Sequence, residues 1–354
     1  MKFAPGTNSI VCDYCGTKNE ISAEPLPGRQ FEIDYEKFIA NNAAGDVSLQ
    51  EVYTVQCNKC GATTSLNPNI VSDCCPFCNT ALIVNKGHTN RIVKPQYLLP
   101  FAIESNRAFD EFRKWIKGLW FAPNDLVRYA ENAAKLAGMY IPYWTYDTNT
   151  TTRYSGQCGD DYYETERYTT ARNGRAVTET RQVRKTRWTN VSGTVFNTFN
   201  DVLVVASDSL PREYAEKLEP WDLAQLAVYR EEYLAGFRTE IYKTDVQQGL
   251  ALAKSLMQPA INNTICSDIG GDHQRISSSN SAYNNITFKH ILLPIWISAY
   301  SYNNKVYNFM INGRTGEVQG QRPYSAIKIF FFVLVILAIV GAVVYYMNQQ
   351  NSSY

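Results

Sequence analysis

The chain has 354 residues, 45% of them apolar, which is enough for about two domains with real cores. Acidic and basic side chains nearly cancel (33 against 34, net +1), so no overall field draws the chain to nucleic acid. Twenty-four tyrosines favour strands and turns over long soluble helices, and nine cysteines, mostly in pairs, point to metal binding rather than to disulfides.

Residues 1–90 form a cysteine-rich region. Three Cys-x-x-Cys units occur in it, at Cys12/Cys15, Cys57/Cys60 and Cys75/Cys78. Fourteen residues separate the second unit from the third, which permits two knuckles joined by a short hairpin, with Cys57, Cys60, Cys75 and Cys78 around one tetrahedral Zn²⁺. A knuckle needs a sharp backbone reversal after its second cysteine, and Gly61 and Asn79 both tolerate positive φ. A pair of redox dithiols is the competing reading. Cys74 is read as a bystander. Met1–Glu20 looks like the closing half of a second ribbon, a hairpin over Lys2–Ile10 followed by the Cys12/Cys15 knuckle and Gly16. Its opening knuckle is expected upstream of Met1, or else this copy has lost that site.

Residues 91–322 read as an α+β body with a mainly antiparallel sheet. Ser105–Gly118 places Ala108, Phe109, Phe112, Trp115 and Ile116 on one helical face. Asn124 is placed to cap a second helix that Gly138 ends. Strands begin at Tyr140–Tyr146, and Asn173-Gly174 carries a strong hairpin signal. Helical pattern returns at Asp222–Tyr229 and at Asp245–Met257, with Thr244 as the cap of the latter. Strands at Ile291–Tyr300 and Lys305–Ile311 and a turn at Asn312–Gly316 close the body. The hairpin is rich in base: Arg172, Arg175, Arg181, Arg184, Lys185 and Arg187 against Glu179, with Asp160, Asp161, Glu164 and Glu166 upstream. Cross-strand pairing of opposite charges on a solvated ribbon is the simpler account. A basic arm for anionic lipid, for an acidic partner or for nucleic acid is the functional one.

Residues 323–348 form the anchor. Ile329–Met347 is nineteen residues without a charge, about 28 Å of helix, close to the hydrocarbon thickness of a bilayer. A buried core helix would show a polar stripe, and this segment shows none. Arg322 and Lys328 flank its N-terminal side, while the tail, residues 349–354, is uncharged. A single-pass span is therefore expected in the inner membrane, with the bulk of the chain cytoplasmic.

Signs of catalysis are weak. Cys266, Asp272 and His273 lie close in sequence, but catalytic Cys and His are usually distant in the chain. Gly249–Ser255 lacks the glycine before Lys254 that a phosphate-cradling loop requires, and it sits in a predicted helix. His88 is placed in a polar loop, and His290 is placed before an apolar strand as a structural residue.

Taken in order, Cys57–Gly61, Cys75–Cys78, Leu99-Pro-Phe101, Phe112–Trp115, Gly138–Trp144, Arg187-Trp188, Ser192-Gly193, Tyr233–Phe237, Leu293–Trp296 and Asn312–Gly316 resemble a bacterial family of membrane-anchored zinc-ribbon proteins. Its members are often labelled primosomal helicase-like or TFIIB-type zinc-ribbon proteins. The resemblance implies a non-catalytic, tail-anchored adaptor, with protein partners at the cytoplasmic membrane face linked to flotillin-like (SPFH) and phage-shock-type membrane stress. The alternative is a nucleic-acid-binding ribbon of replication or transcription, against which stand the near-neutral charge and the few basic residues of the ribbon itself.

Overall fold

The computed structural model describes residues 1–22, 31–44, 49–65, 72–75, 77, 80–83, 88–131, 136–172, 175–303 and 305–351. In chain order, β1 (Lys2–Phe3), β2 (Ser9–Val11) and β3 (Lys18–Glu20) form a small antiparallel meander. β4 (Ile33–Asp34) runs straight into α1 (Tyr35–Ala44). β5 (Leu49–Gln56), β6 (Thr63–Ser65), the hairpin of β7 (Ser72–Cys74) with β8 (Ala81–Ile83), and β9 (His88–Val93) follow, with β5 pairing both β6 and β9. The body contains β10 (Tyr97–Leu98), α2 (Ser105–Gly118), α3 (Leu126–Glu131), β11 (Ala137–Arg172), β12 (Arg175–Val205), α4 (Arg212–Glu216), β13 (Ala227–Val228), β14 (Arg238–Thr239), α5 (Val246–Ile269), β15 (His273–Tyr302), β16 (Lys305–Asn312) and β17 (Val318–Gly320). The chain ends in α6 (Ala326–Asn351).

Three very long strands dominate, β11 rich in Thr and Tyr, β12 in Val and Thr, and β15 in Ile and Tyr, residues that suit a pleated surface. β11 pairs β12 along one edge, from Tyr143↔Val205 out to Arg172↔Arg175. Along its other edge it pairs β15, from Ala137↔Ile297 to Gly159↔His273. The far edge of β15 is taken in turn by β4, by β10 in parallel, and by β16, which carries β17. The expected α+β class with a mainly antiparallel sheet is therefore observed, with short parallel pairings at β10 and β14.

Strand alternation sends the two faces of this sheet to different partners. Met139, Ile141 and Tyr143 of β11 join Ile291, Leu293 and Ile295 of β15 in a cluster that also contains Val55, Cys57, Cys75 and Phe77. The intervening residues turn to the helices. Tyr140, Leu292 and Trp296 pack with α2, and Trp144, Tyr146, Tyr154 and Phe288 pack with α5. The body is thus a helical layer, a sheet, and a face shared by the cysteine region.

α5 shows why sequence and packing agree there. Its buried positions Val246, Leu250, Ala253, Met257, Ile261, Ile265 and Ile269 recur at helical spacing. Asp245 caps it: the carboxylate accepts from Gln248 N at 2.8 Å, and Gln248 Oε1 accepts from Asp245 N at 3.2 Å. Trp144 Nε1 donates to Thr244 O at 2.8 Å and Tyr146 OH to Val246 O at 2.7 Å, pinning the helix start to the sheet. Gly249 lies where a Cβ would come within 2.3 Å of the Tyr146 hydroxyl, so its glycine serves close packing rather than phosphate.

Some expectations are corrected. The helix expected over Asp222–Tyr229 is one 3-10 turn, Leu223–Gln225, followed by β13, because Tyr97 and Leu98 offer backbone partners to Val228 and Ala227. The second helix is described over Leu126–Glu131, and Gly138 does not end it but belongs to β11, where a Cβ would strike the Phe237 ring. α5 is capped by Asp245 instead of Thr244, and it continues past Met257 and Pro259 because its apolar face continues. His88 lies in β9, opposite Thr54, not in a loop. Asn173 and Gly174 lie outside the described residues.

Beyond Gly159, β11 and β12 proceed without β15 as a two-stranded arm. Such a ribbon is marginal alone, and here opposite charges pair across its backbone ladder. Lys185 Nζ lies 2.6 Å from Glu164 and 3.3 Å from Glu166, Arg181 lies 3.4 Å from Glu166, and Arg184 Nε donates to Asp161 at 2.6 Å. Asp161 also accepts from Thr186 Oγ1 at 2.7 Å and faces His273 Nε2 at 3.1 Å. Thr186 and Arg184 together hold its carboxyl below the usual carboxylate range. The simpler account of the basic hairpin is the one the coordinates support for these residues.

Two outcomes are expected. Gly249→Ala should lower stability by about 1–3 kcal/mol in denaturant titration, since overpacking outweighs the usual helix gain of about 1 kcal/mol. Arg184→Glu should lower amide-exchange protection in residues 160–164 and 181–187 while leaving the melting temperature of the body nearly unchanged, because this part of the arm lies outside the apolar clusters of the body.

Candidate metal centre

The Cys57 and Cys75 turns share one backbone design. Gly61 N donates to Cys57 O at 2.9 Å and Cys57 N to Ala62 O at 2.8 Å; Cys75 N donates to Thr80 O at 2.8 Å. Gly61 takes φ +74°, a left-handed value that favours glycine. β5–β6 presents the first turn and β7–β8 the second. The sulfurs of Cys57, Cys60 and Cys75 lie within 4.8 Å of one another, with Cys60 and Cys75 at 3.5 Å. A tetrahedral zinc with bonds of about 2.3 Å would hold its sulfurs about 3.8 Å apart, so the three fit one metal shell. Cys78, Pro76 and Asn79 lie outside the described residues. Cys74 is the last residue of β7.

This cluster is built into the body. Cys57 and Cys75 are buried, and Cys60 is exposed. Lys243 Nζ donates to Gly61 O at 2.7 Å, Ile241 N to Thr63 O at 3.3 Å, and Thr64 bridges Glu240. Glu240 is buried, which pushes its carboxyl up to about 7, and it accepts from Ser207 Oγ at 2.6 Å.

The Cys12 turn repeats the design: Gly16 N donates to Cys12 O at 2.9 Å, Cys12 N to Thr17 O at 3.0 Å, and Gly16 has φ +71°. The hairpin before it is present as β1 and β2. Cys15 is exposed, and hydrogen bonds from Thr17 pull its thiol down to about 7, which favours thiolate. Among the described residues no group of three metal donors includes Cys12 or Cys15.

The other sequence candidates have structural roles. Cys266 lies in α5, while His273 opens β15 and meets Asp161. His290 is buried: its Nδ1 lies 2.7 Å from Val93 O, and its ring packs on Trp144.

Sequence reasoning missed a buried ionic cluster. Lys289, 2% exposed, lies 2.6 Å from Asp201 Oδ1 and 3.2 Å from Glu32 Oε1. Glu32 also accepts from Thr287 Oγ1 at 2.6 Å, and Asp147 accepts from Asp201 N at 2.7 Å. Burial pushes the Asp147 carboxyl up to about 6. The group lines a cleft of about 910 Å³ beside the β-bulge at Tyr146/Thr148. A lysine inside Phe288-Lys-His-Ile-Leu-Leu was the one signal available, since a buried ammonium needs carboxylate partners.

No protein-family model matches the chain, and no solved structure matches it. It is 28% identical over 237 residues to the uncharacterised protein YdjG of Bacillus subtilis (strain 168). That match covers 66% of this chain and 65% of the length of YdjG.

His290 sets a pH dependence. Burial depresses its imidazole from 6.5 to about 4, so below pH 6.5 the unfolded chain takes up a proton that the folded chain refuses. Stability should fall as pH drops from 6.5 toward 4, by up to about 3 kcal/mol from this group. Urea titrations of His290→Asn should lack that component of the pH slope.

Proposed function

We propose that the chain is a single-pass, membrane-anchored adaptor whose body is folded around a structural zinc ribbon. The observation that carries this reading is α6: the stretch Ala326–Met347, 22 residues, is strongly apolar, uncharged from Ile329 onward, and not buried against the body. At 1.5 Å per residue it extends about 33 Å, enough to cross a bilayer. Water is a poor solvent for such a helix, and none of this stretch is buried against the described body. Arg322 and Lys328 on the body side favour a cytoplasmic body in a bacterial inner membrane.

Zinc is the metal that the donor set favours. Cys57, Cys60 and Cys75 supply soft thiolates, and Cys78 is the fourth ligand by its spacing. A shell of four cysteines is closed, which supports a structural, non-catalytic role. The two cysteine turns belong to the same apolar cluster as the sheet, so metal binding would stabilise the body as well as the ribbon. The partners implied by the family resemblance are SPFH-type and phage-shock-type proteins at the membrane. Pull-down from detergent-solubilised membranes, with and without nuclease, tests the adaptor reading. Protein partners that survive nuclease support it. Recovery of nucleic acid alone would favour the nucleic-acid-binding alternative.

Metal analysis of the purified chain should give about one zinc from this ribbon. Cys57→Ser should release it and lower the melting temperature of the body, whereas Cys74→Ser should do neither. Full zinc retention in Cys57→Ser would refute the ligand assignment. Truncation before Ile327 should move the protein from the membrane fraction, resistant to alkaline carbonate, into the soluble fraction.

A further inference from the structure

α6 leaves the body through a fixed joint. Ser325 N donates to Phe121 O at 2.7 Å. Lys328 Nζ donates to Trp120 O at 3.1 Å and to Ala122 O at 2.8 Å, satisfying two carbonyls of the turn between α2 and α3. The Phe121 ring meets Phe332 edge-on, with centroids 5.2 Å apart. The turn is itself anchored to the body: Leu119 and Ala122 are buried in the α2 cluster, and Tyr302 OH donates to Asp125 at 3.0 Å.

These contacts fix a depth. Phe332 lies four residues past Lys328, about 6 Å further along the helix and inside the uncharged run. A side chain that touches Phe332 is therefore below the level at which a lysine marks the polar boundary. Trp120 adjoins it and is 76% exposed, while Tyr324, 60% exposed, flanks the helix start with Arg322 over its ring at 5.3 Å. A lone exposed tryptophan on a soluble face needs no explanation. One tied by its own backbone carbonyl to the first turn of a membrane helix is placed where indole rings prefer to sit, between headgroups and acyl chains.

We propose that the α2–α3 turn is a second membrane contact, with Trp120 and Phe121 lying in the headgroup–acyl boundary of the leaflet facing the body. This rests on the reading of α6 as a span. It makes the anchor a rigid mount in place of a flexible tether, with the body seated on the lipid surface by its α2–α3 end. The occupant of this face is the bilayer, because the turn is continuous with the segment that enters it.

The test uses the full chain in phosphatidylcholine vesicles. Subtracting the emission of Trp120→Phe from that of the parent isolates one indole, and the exposed site makes the substitution compatible with folding. Trp120 emission should be blue-shifted, shielded from aqueous iodide, and quenched more by lipids brominated near the headgroup than by those brominated near the chain end. Iodide quenching without quenching by brominated lipid, on chains that resist alkaline carbonate, would overturn the contact and leave the span standing. Release of the full chain by carbonate would overturn the span, and the contact with it.

Discussion

Along the ladder from Ala137↔Ile297 to Gly159↔His273, β11 and β15 exchange backbone hydrogen bonds, and the remaining elements sit where that ladder leaves an edge or a face uncovered. β12 takes one edge. β4, β10 and β16 share the other. The pleat then divides the apolar side chains, so that Met139 and Ile141 turn to the cysteine region while Tyr140, Trp144 and Tyr146 turn to α2 and α5. A one-residue slip would exchange these two faces, placing Trp144 against the cysteine region and Tyr143 against α5. The register shifts at Asp147/Asn149 and Ser155/Gly156 work against such sliding, and the ionic cluster of Lys289 with Glu32 and Asp201 lies beside the first of them.

That cluster illustrates how cost and specificity combine in a core. A lysine that is 2% exposed would be strongly unfavourable alone, and replacing it with an apolar side chain could be neutral. Its partners come from the segment before β4 and from the β12 side of the sheet. They are satisfied together only when both segments occupy their observed places, which ties the residues after the β1–β3 meander to the long strands. Beneath α5 hydrogen bonds tie distant segments in the same way, where Asn197 donates to Thr264 at 2.7 Å and Tyr154 to Asp268 at 2.6 Å.

The long strands also separate the two ends of the molecule. The α2–α3 turn and the root of α6 lie near the end of β15, where Tyr302 bonds Asp125. β11 runs the opposite way, and at about 3.3 Å per residue its tip lies roughly 115 Å of strand from Ala137. The charged arm is therefore at the end of the sheet remote from the root of α6, and its charges pair with one another. The cysteine cluster sits on the sheet face between these ends.

Local signals were legible in the sequence because they depend on neighbours. Nineteen uncharged residues define α6, the periodicity of Ala108, Phe112 and Ile116 defines α2, and Gly16 and Gly61 mark the two turns that require left-handed backbone. The Cys-x-x-Cys spacing likewise indicated which thiols could meet, and Cys57, Cys60 and Cys75 do. Where the tertiary structure decided, the controlling partner was far away in the chain. Residues 227 and 228 became strand because β10 offered an edge, and α5 kept going past Pro259 because the sheet beneath it continued. His88 is in a strand because β5 runs beside it. The Lys289 cluster joins residues 32, 201 and 289, and the joint at the root of α6 ties Trp120 to Lys328. Periodicity and composition report what one segment prefers; they carry no record of which backbone edges and side chains will meet once distant segments pack.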